Sequence, residues 1–194
     1  MTFIKSVTLE VPDTTAAEAF HAAAFGLDGK VCVRASQAPT NGFRGFTLSL
    51  VVAQPGTVDS LVGTALEAGA TLLKPVSKGL WGYGGVVRAP DGTIWKVATS
   101  SKKNSGPVTR EVDDMVLLLG VSDVKATKQF YVDHGLTVAK SFGSKYVQFD
   151  APSSRIKLAL YGRRALAKDA GVAVDGDGSH RIAITCDGGP FTDP

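Results

Sequence analysis

The chain has 194 residues, of which 44% are hydrophobic and 20% are charged, and its formal net charge is +3; this length can bury a sizeable core in one domain or two. Its lysines and arginines are scattered and form no basic stripe interleaved with aromatic residues, which argues against nucleic-acid binding. No apolar run reaches the roughly 20 residues of a membrane span and the N-terminus lacks the pattern of a signal peptide, so we expect a cytoplasmic protein that does not enter membranes.

Strands and helices alternate in the first part of the predicted structure. Residues 3–11 alternate apolar and polar side chains, which predicts a half-buried strand. Residues 12–15 end this strand and supply the N-cap of an alanine-rich helix, which ends at Gly26. A second helix with an apolar stripe is predicted at residues 58–70. Three further strands are predicted, at residues 30–34, 46–52 and 71–75.

A β-hairpin is predicted for residues 80–97, and it contains the most informative lysine of the chain. Its turn, Pro90-Asp91-Gly92, combines a fixed φ, a turn-capping carboxylate and a residue that tolerates positive φ. The returning strand places Lys96 where its side chain points inward from the hairpin. The lysine then either binds an anionic group of a ligand, or packs its aliphatic stem and extends its ammonium group to solvent.

A second series of elements follows a polar segment, residues 102–109, which is predicted to be a linker. A helix capped by Asp123 is predicted at residues 124–135, and residues 175–179 are predicted to form a loop. Five strands are predicted, at residues 115–121, 136–142, 145–150, 156–161 and 180–185.

The two series share a local pattern. Val11-Pro12-Asp13 before the first helix matches Val121-Ser122-Asp123 before the later one. The repeat predicts two halves of related design, residues 1–101 and 110–194.

These residues resemble the vicinal oxygen chelate superfamily, which comprises glyoxalases, bleomycin-resistance proteins and extradiol dioxygenases. Residues 58–97 are similar to the second module of a glyoxalase-like domain, and residues 121–136 are similar to the start of a module. The resemblance implies an α+β fold in which paired βαβββ modules form curled mixed sheets with external helices around a cup-shaped cavity. It further implies tandem domains, of which the second is expected to be shortened at its C-terminus, and it makes a homodimer an expected assembly.

Metal-dependent members of this superfamily carry a His, Gln or Glu on the first strand of each module and a Glu on the last. The matching positions here are Ser6, Thr47 or a neighbour, and Lys96. A lysine ammonium has no lone pair at neutral pH and repels a divalent metal. The resemblance therefore implies no metal in the first domain, and no cofactor is predicted. In the second domain His180 is a candidate metal ligand, and the aligned first-strand position, residues 114–116, offers Asp114.

The candidate ligand-binding residues are Ser6, Thr8, Glu10, Thr47, Ser49, Trp81, Tyr83 and Lys96. The hydroxyl and carboxyl groups either form a polar cavity wall or lie on ordinary solvated strand faces. Glu10 is also a candidate to pair with Lys96. Trp81 and Tyr83 either stack on a ligand at the cavity mouth or pack at a module interface. His21 and His134 are expected to be ordinary surface or helix-end histidines.

The preferred functional hypothesis is metal-independent binding of a small organic molecule in the cup-shaped cavity. The alternative is a metal-dependent glyoxalase-like lyase or dioxygenase that uses His180 together with ligands from a partner chain or from residues beyond this sequence. A third hypothesis is protein association through the faces of the sheets.

Overall fold

The computed structural model describes residues 4–27, 31–80, 82–150, 156–178, 180–186 and 189–191, and within them the chain forms fourteen strands and four helices. The strands are β1 (Ile4–Val11), β2 (Val31–Ala35), β3 (Thr40–Gly42), β4 (Phe46–Val51), β5 (Thr71–Gly79), β6 (Gly82–Arg88), β7 (Ile94–Thr99), β8 (Asp114–Val121), β9 (Thr137–Phe142), β10 (Tyr146–Asp150), β11 (Lys157–Gly162), β12 (Gly176–Gly178), β13 (Ile182–Cys186) and β14 (Gly189–Phe191). The helices are α1 (Thr14–Phe25), α2 (Pro55–Glu67), α3 (Val124–Asp133) and α4 (Arg163–Ala170). None of these helices is long and apolar enough to cross a membrane.

Two βαβββ modules form one eight-stranded sheet with the order β5-β6-β7-β4-β8-β11-β10-β9. In each module the first and last strands pair in parallel, as β4 with β7 and β8 with β11. The modules join through an antiparallel pair, β4 with β8. This topology confirms the predicted α+β fold of paired modules.

Helices α1, α2 and α3 pack on one face of this sheet, and their buried residues form one core with it. In α2 the buried residues Val58, Leu61, Val62 and Ala65 follow the i, i+3, i+4, i+7 spacing of a helix face. The aromatic centre of the core is Trp95, which is fully buried and lies 4.9 Å from the ring of Phe25 between centroids. The residues that the eight-stranded sheet contributes to this core are Phe46, Leu48, Leu50, Val87, Trp95, Val97, Met115, Leu117, Leu119, Val147, Phe149, Leu158 and Leu160.

A second, four-stranded sheet has the order β14-β13-β1-β2. Helix α1 connects the parallel strands β1 and β2, and it begins where the Asp13 side chain accepts a hydrogen bond from the Ala16 amide at 2.9 Å. It ends at Gly26, whose left-handed φ of 64° suits a residue without Cβ. Both helix ends therefore lie where the sequence predicted them.

Helix α4 covers the other face of the eight-stranded sheet, which we call the cup face. Leu166, Ala167 and Ala170 are at most 2% exposed and pack in a small core with Phe43 and Ile94. A helix was not predicted here, although the apolar spacing and the left-handed Gly171 at its C-terminus are helix signals. The cup that the resemblance implied is thus partly filled by the chain itself.

Each sheet contains strands from both sides of the predicted linker 102–109. The predicted halves 1–101 and 110–194 therefore do not each form a sheet of their own, while the domain limits themselves stay a prediction. The buried side chain of Gln54 accepts from the Ser105 amide at 2.8 Å and donates to the Pro107 carbonyl at 2.7 Å. These hydrogen bonds hold the segment against the N-terminus of α2.

Candidate functional site

Lys96 lies on the cup face in a row of side chains that crosses four neighbouring strands. The strand register places Lys96 beside Ser49, Ser49 beside Val116, and Val116 beside Lys157. Cα partners in adjacent strands point their side chains to the same face of a sheet. The row therefore joins the first and last strands of both modules, β4 and β8 with β7 and β11.

Lys96 forms an ion pair with helix α4. Its Nζ donates to Oδ2 of Asp169 at 2.7 Å, and the two side chains are 31% and 38% exposed. The hypothesis that Glu10 pairs with Lys96 is wrong, because Glu10 on the four-stranded sheet pairs with Arg34. The hydrogen bond from Arg34 lowers the pKa of Glu10.

Lys157 at the other end of the row forms a matched ion pair. Its Nζ donates to Oδ2 of Asp114 at 2.6 Å, and the side chains are 32% and 43% exposed. The geometry and the exposure of this pair are close to those of the Lys96–Asp169 pair. It provides an internal control for any experiment on Lys96.

Thr47 and Ser49 on β4 are buried, at 2% and 6% exposure. The Ser49 Oγ has no hydrogen-bond partner among the described residues. Neither hydroxyl group is open to solvent, so a ligand reaches them only if α4 or a neighbouring side chain moves. Their predicted role in ligand binding stays a prediction.

An open groove of ≈ 340 Å³ lies beside Lys96, between the β5–β6 hairpin and the C-terminal end of α4. We call it the Lys96 groove. Its lining residues are Lys74, Pro75, Ser77, Gly79, Leu80, Gly82, Tyr83, Gly84, Gly85, Val86, Lys96, Ala98, Thr99 and Asp169. Lys74 Nζ donates to the Lys168 carbonyl at 2.7 Å, which attaches the hairpin to α4. A Cβ at Gly84 would lie 2.8 Å from the Val97 carbonyl oxygen, so this glycine lets β6 run close to β7.

The other predicted ligand-binding residues are not gathered around Lys96. Ser6, Thr8 and Glu10 alternate with buried residues on β1 of the four-stranded sheet, where they are half-buried. Tyr83 contributes to the wall of the Lys96 groove, but its hydroxyl donates to Asp59 Oδ1 of α2 at 2.7 Å. That hydrogen bond raises the pKa of Tyr83. Trp81 lies outside the described residues.

The row on the cup face does not offer a divalent metal the donors that it needs. The resemblance places metal ligands on the first and last strands of the modules. The row positions on these strands are Lys96, Ser49, Val116 and Lys157, and none of them is a His, Asp or Glu. No group of three His, Cys, Asp or Glu side chains that could hold a metal occurs in the described part of the chain. His180 is exposed beside Gly45, where a Cβ would lie 3.3 Å from its Nε2.

His21 is not the surface residue that the sequence suggested. It is 4% exposed, and its ring lies 5.4 Å from Trp95 in an edge-on arrangement. Its Nε2 is buried and has no partner among the described residues. Desolvation by this burial lowers the pKa of His21, against smaller opposing effects of Asp91 and Glu18.

Similar solved structures share this arrangement of sheets and helices. Glyoxalase I from Zea mays superposes with a TM-score of 0.61 at 12% identity, over 96% of this chain and 74% of that chain. The chain has a glyoxalase I-like fold. A glyoxalase/bleomycin resistance protein/dioxygenase family enzyme from Burkholderia phytofirmans PsJN matches 51% of this chain at 22% identity, with a TM-score of 0.44 that carries no weight for the fold. No protein-family model matches the sequence, and a comparison with curated proteins finds no match.

Proposed function

We propose that this protein binds a small organic acid in the Lys96 groove without a metal ion. The observation that carries the proposal is the position of Lys96: a partly exposed ammonium group lines an open groove on the cup face. The volume of ≈ 340 Å³ is that of a small ligand pocket. Lys74 and Lys96 contribute two positive charges to the wall and Asp169 one negative charge, and the net charge of +1 favours a ligand with one anionic group.

The groove supports a ligand with an apolar body. Pro75, Leu80, Val86 and Ala98 contribute apolar side chains to its wall, and the glycines of β6 expose backbone to it. Such a wall contacts a flat or aliphatic group while Lys96 contacts the anion. An aromatic or aliphatic carboxylate has both parts, so this class of molecule is the proposed ligand.

Asp169 sets how strongly Lys96 attracts a ligand. It already accepts a hydrogen bond from the ammonium group, so an incoming carboxylate has to share the lysine or replace Asp169. The change Asp169→Asn removes the competing charge and is expected to tighten carboxylate binding. Two charges about 4 Å apart in water interact by about 1 kcal/mol, which corresponds to roughly fivefold in affinity at low salt.

Titration calorimetry with benzoate tests the proposal, with benzyl alcohol as the uncharged match. Lys96→Ala is expected to weaken benzoate binding by about tenfold or more, because a hydrogen bond to a charged group is worth about 1.5–3 kcal/mol. The matched variant Lys157→Ala is expected to bind benzoate as the parent protein does. Equal benzoate affinities of the parent and Lys96→Ala proteins would refute the site. Equal affinities of the parent protein for benzyl alcohol and for benzoate would refute the role of charge.

A metal titration tests the other half of the proposal. We expect no stoichiometric binding of Zn²⁺, Ni²⁺ or Mn²⁺, because the cup-face row supplies two lysines in place of carboxylates. One-to-one binding tighter than about 1 μM would contradict this part of the proposal. If that metal were lost in a His180→Ala protein, the lyase or dioxygenase hypothesis would replace it. The cytoplasmic location and the homodimer stay predictions.

A further inference from the structure

We infer that a second pocket, formed around Arg44, binds a small oxyanion such as a carboxylate or phosphate group. The pocket has a volume of ≈ 300 Å³ and lies at the turn between β6 and β7, next to the residues that follow α4. It shares no lining residue with the Lys96 groove. The site is therefore independent of the proposed function.

Arg44 is a buried cation whose hydrogen-bonding capacity is only partly used. It is 9% exposed, and its Nη2 donates to the Thr93 hydroxyl at 2.8 Å. Its Nη1 is buried and has no hydrogen-bond partner among the described residues. A buried guanidinium group is normally matched by a carboxylate or by several acceptors, because its desolvation is costly.

No carboxylate of the described residues comes within ion-pair distance of Arg44. The negative charge of Asp91 attracts Arg44, but both oxygens of Asp91 accept hydrogen bonds from Thr93: Oδ1 accepts from the Thr93 amide at 2.8 Å, and Oδ2 accepts from the Thr93 hydroxyl at 3.1 Å. The Thr93 hydroxyl therefore lies between the two side chains and binds both. The ring of Phe46, 5.2 Å from the guanidinium carbon, contributes a further cation–π contact.

Charged side chains of both signs surround Arg44 in the pocket. Arg88 is exposed on the pocket wall, and Arg88 and Arg181 both repel the charge of Arg44. Asp91 and Asp175 also line the pocket and oppose them, so two carboxylates face the two arginines of the lining. Gly92 lines the pocket as well, and a Cβ built on it would lie 3.9 Å from Arg44 Nη2. A shift of the Arg44 side chain that opens the buried Nη1 lets an oxyanion in the pocket complete the hydrogen bonding of the guanidinium group and relieve the repulsion between the arginines.

The test uses amide NMR spectra of the ¹⁵N-labelled full chain, titrated at low salt with inorganic phosphate and, separately, with acetate. We expect saturable shifts at the amides of Gly92 and Thr93, with a dissociation constant of about 1 mM or tighter for at least one of the two anions. The anion that binds more tightly identifies the group as phosphate or carboxylate. The absence of saturable shifts with both anions would overturn the inference.

Two variants separate binding from a purely structural role of Arg44. Arg44→Met removes the guanidinium group and is expected to weaken anion binding by about tenfold to 100-fold. Because that variant could fail to fold, Arg88→Ala provides a second measurement on an exposed residue, with an expected severalfold loss of affinity. Lys157→Ala, a cation outside the pocket, is expected to bind the anion unchanged. Unaltered titrations of Arg88→Ala, or an equal loss in Lys157→Ala, would show that the shifts do not report this pocket.

Discussion

Buried His21 makes the stability of this fold depend on pH in a defined window. The residue lies edge-on to Trp95 with its Nε2 unpartnered, and its pKa is lowered from the ordinary 6.5 because burial penalises the imidazolium form. In the unfolded chain the imidazole titrates near its ordinary value. Between the two pKa values the unfolded state binds a proton that the folded state does not bind. The free energy of unfolding therefore falls as the pH drops below about 6.5.

The size of this effect follows from proton linkage. One proton bound only by the unfolded state changes the free energy of unfolding by at most about 1.4 kcal/mol per pH unit. The pKa of Glu10 is also lowered, from 4.5, so its stabilising contribution is lost only at more acidic pH. Urea unfolding between pH 7 and about 5 thus isolates the contribution of His21.

The matched experiment compares His21→Leu with His134→Gln. His134 is exposed at the end of α3, where its Nδ1 lies 2.7 Å from the Phe130 carbonyl oxygen. We expect His21→Leu to flatten the pH dependence between pH 7 and about 5, because no buried imidazole remains to be protonated. His134→Gln should keep the slope of the parent protein. If the slope survived in His21→Leu, or vanished in His134→Gln, burial of His21 would not be its cause.

Two further predictions concern the segments that close the fold. Leu166→Ala is expected to lower the free energy of unfolding by about 2–5 kcal/mol, because the side chain is fully buried between α4 and the cup face. The exposed neighbour Arg164→Ala should change it by no more than about 0.5 kcal/mol in the same urea titration, and equal effects would contradict the placement of α4. Gln54→Ala should lower the free energy of unfolding by about 1–3 kcal/mol, because it removes two hydrogen bonds worth about 0.5–1.5 kcal/mol each. It should also speed amide hydrogen exchange at Ser105, and parent-like exchange there would refute the anchoring of this segment.

Two kinds of signal decided how much of the fold was predictable. Local periodicity and caps identified the helix that starts after Asp13 and the one that starts after Asp123, and both carboxylates do cap those helices. Helix α4 was missed although Gly171 marks its end, because its eight residues include one large apolar side chain, Leu166, and give a short apolar pattern. The segment 102–109 was interpreted as a linker from its composition, which carries no information on the distant side chain of Gln54 that binds it.

The candidate site likewise depends on contacts between residues that are distant in the sequence. The inward direction of Lys96 followed from the hairpin pattern and the resemblance, but its partner Asp169 lies 73 residues away on an element that was not predicted. The position of Ser6, Thr8 and Glu10 on a different sheet from Lys96 depends on strand order. The burial of His21 and Arg44 was not predicted either, since α1 and the β6–β7 turn cover them only after the chain has folded.

The sequence by itself determined the helices α1, α2 and α3, most strands, the module repeat and the lysine at the position where the resemblance places a metal-binding carboxylate, because these depend on residues near one another in the chain. The tertiary structure alone decided which modules share a sheet, that α4 enters the cup, and which charges meet there. The physical reason is that long-range strand pairing and the burial of a short helix are set by packing among distant residues. Lys96 and Arg44 acquire their surroundings only from that packing.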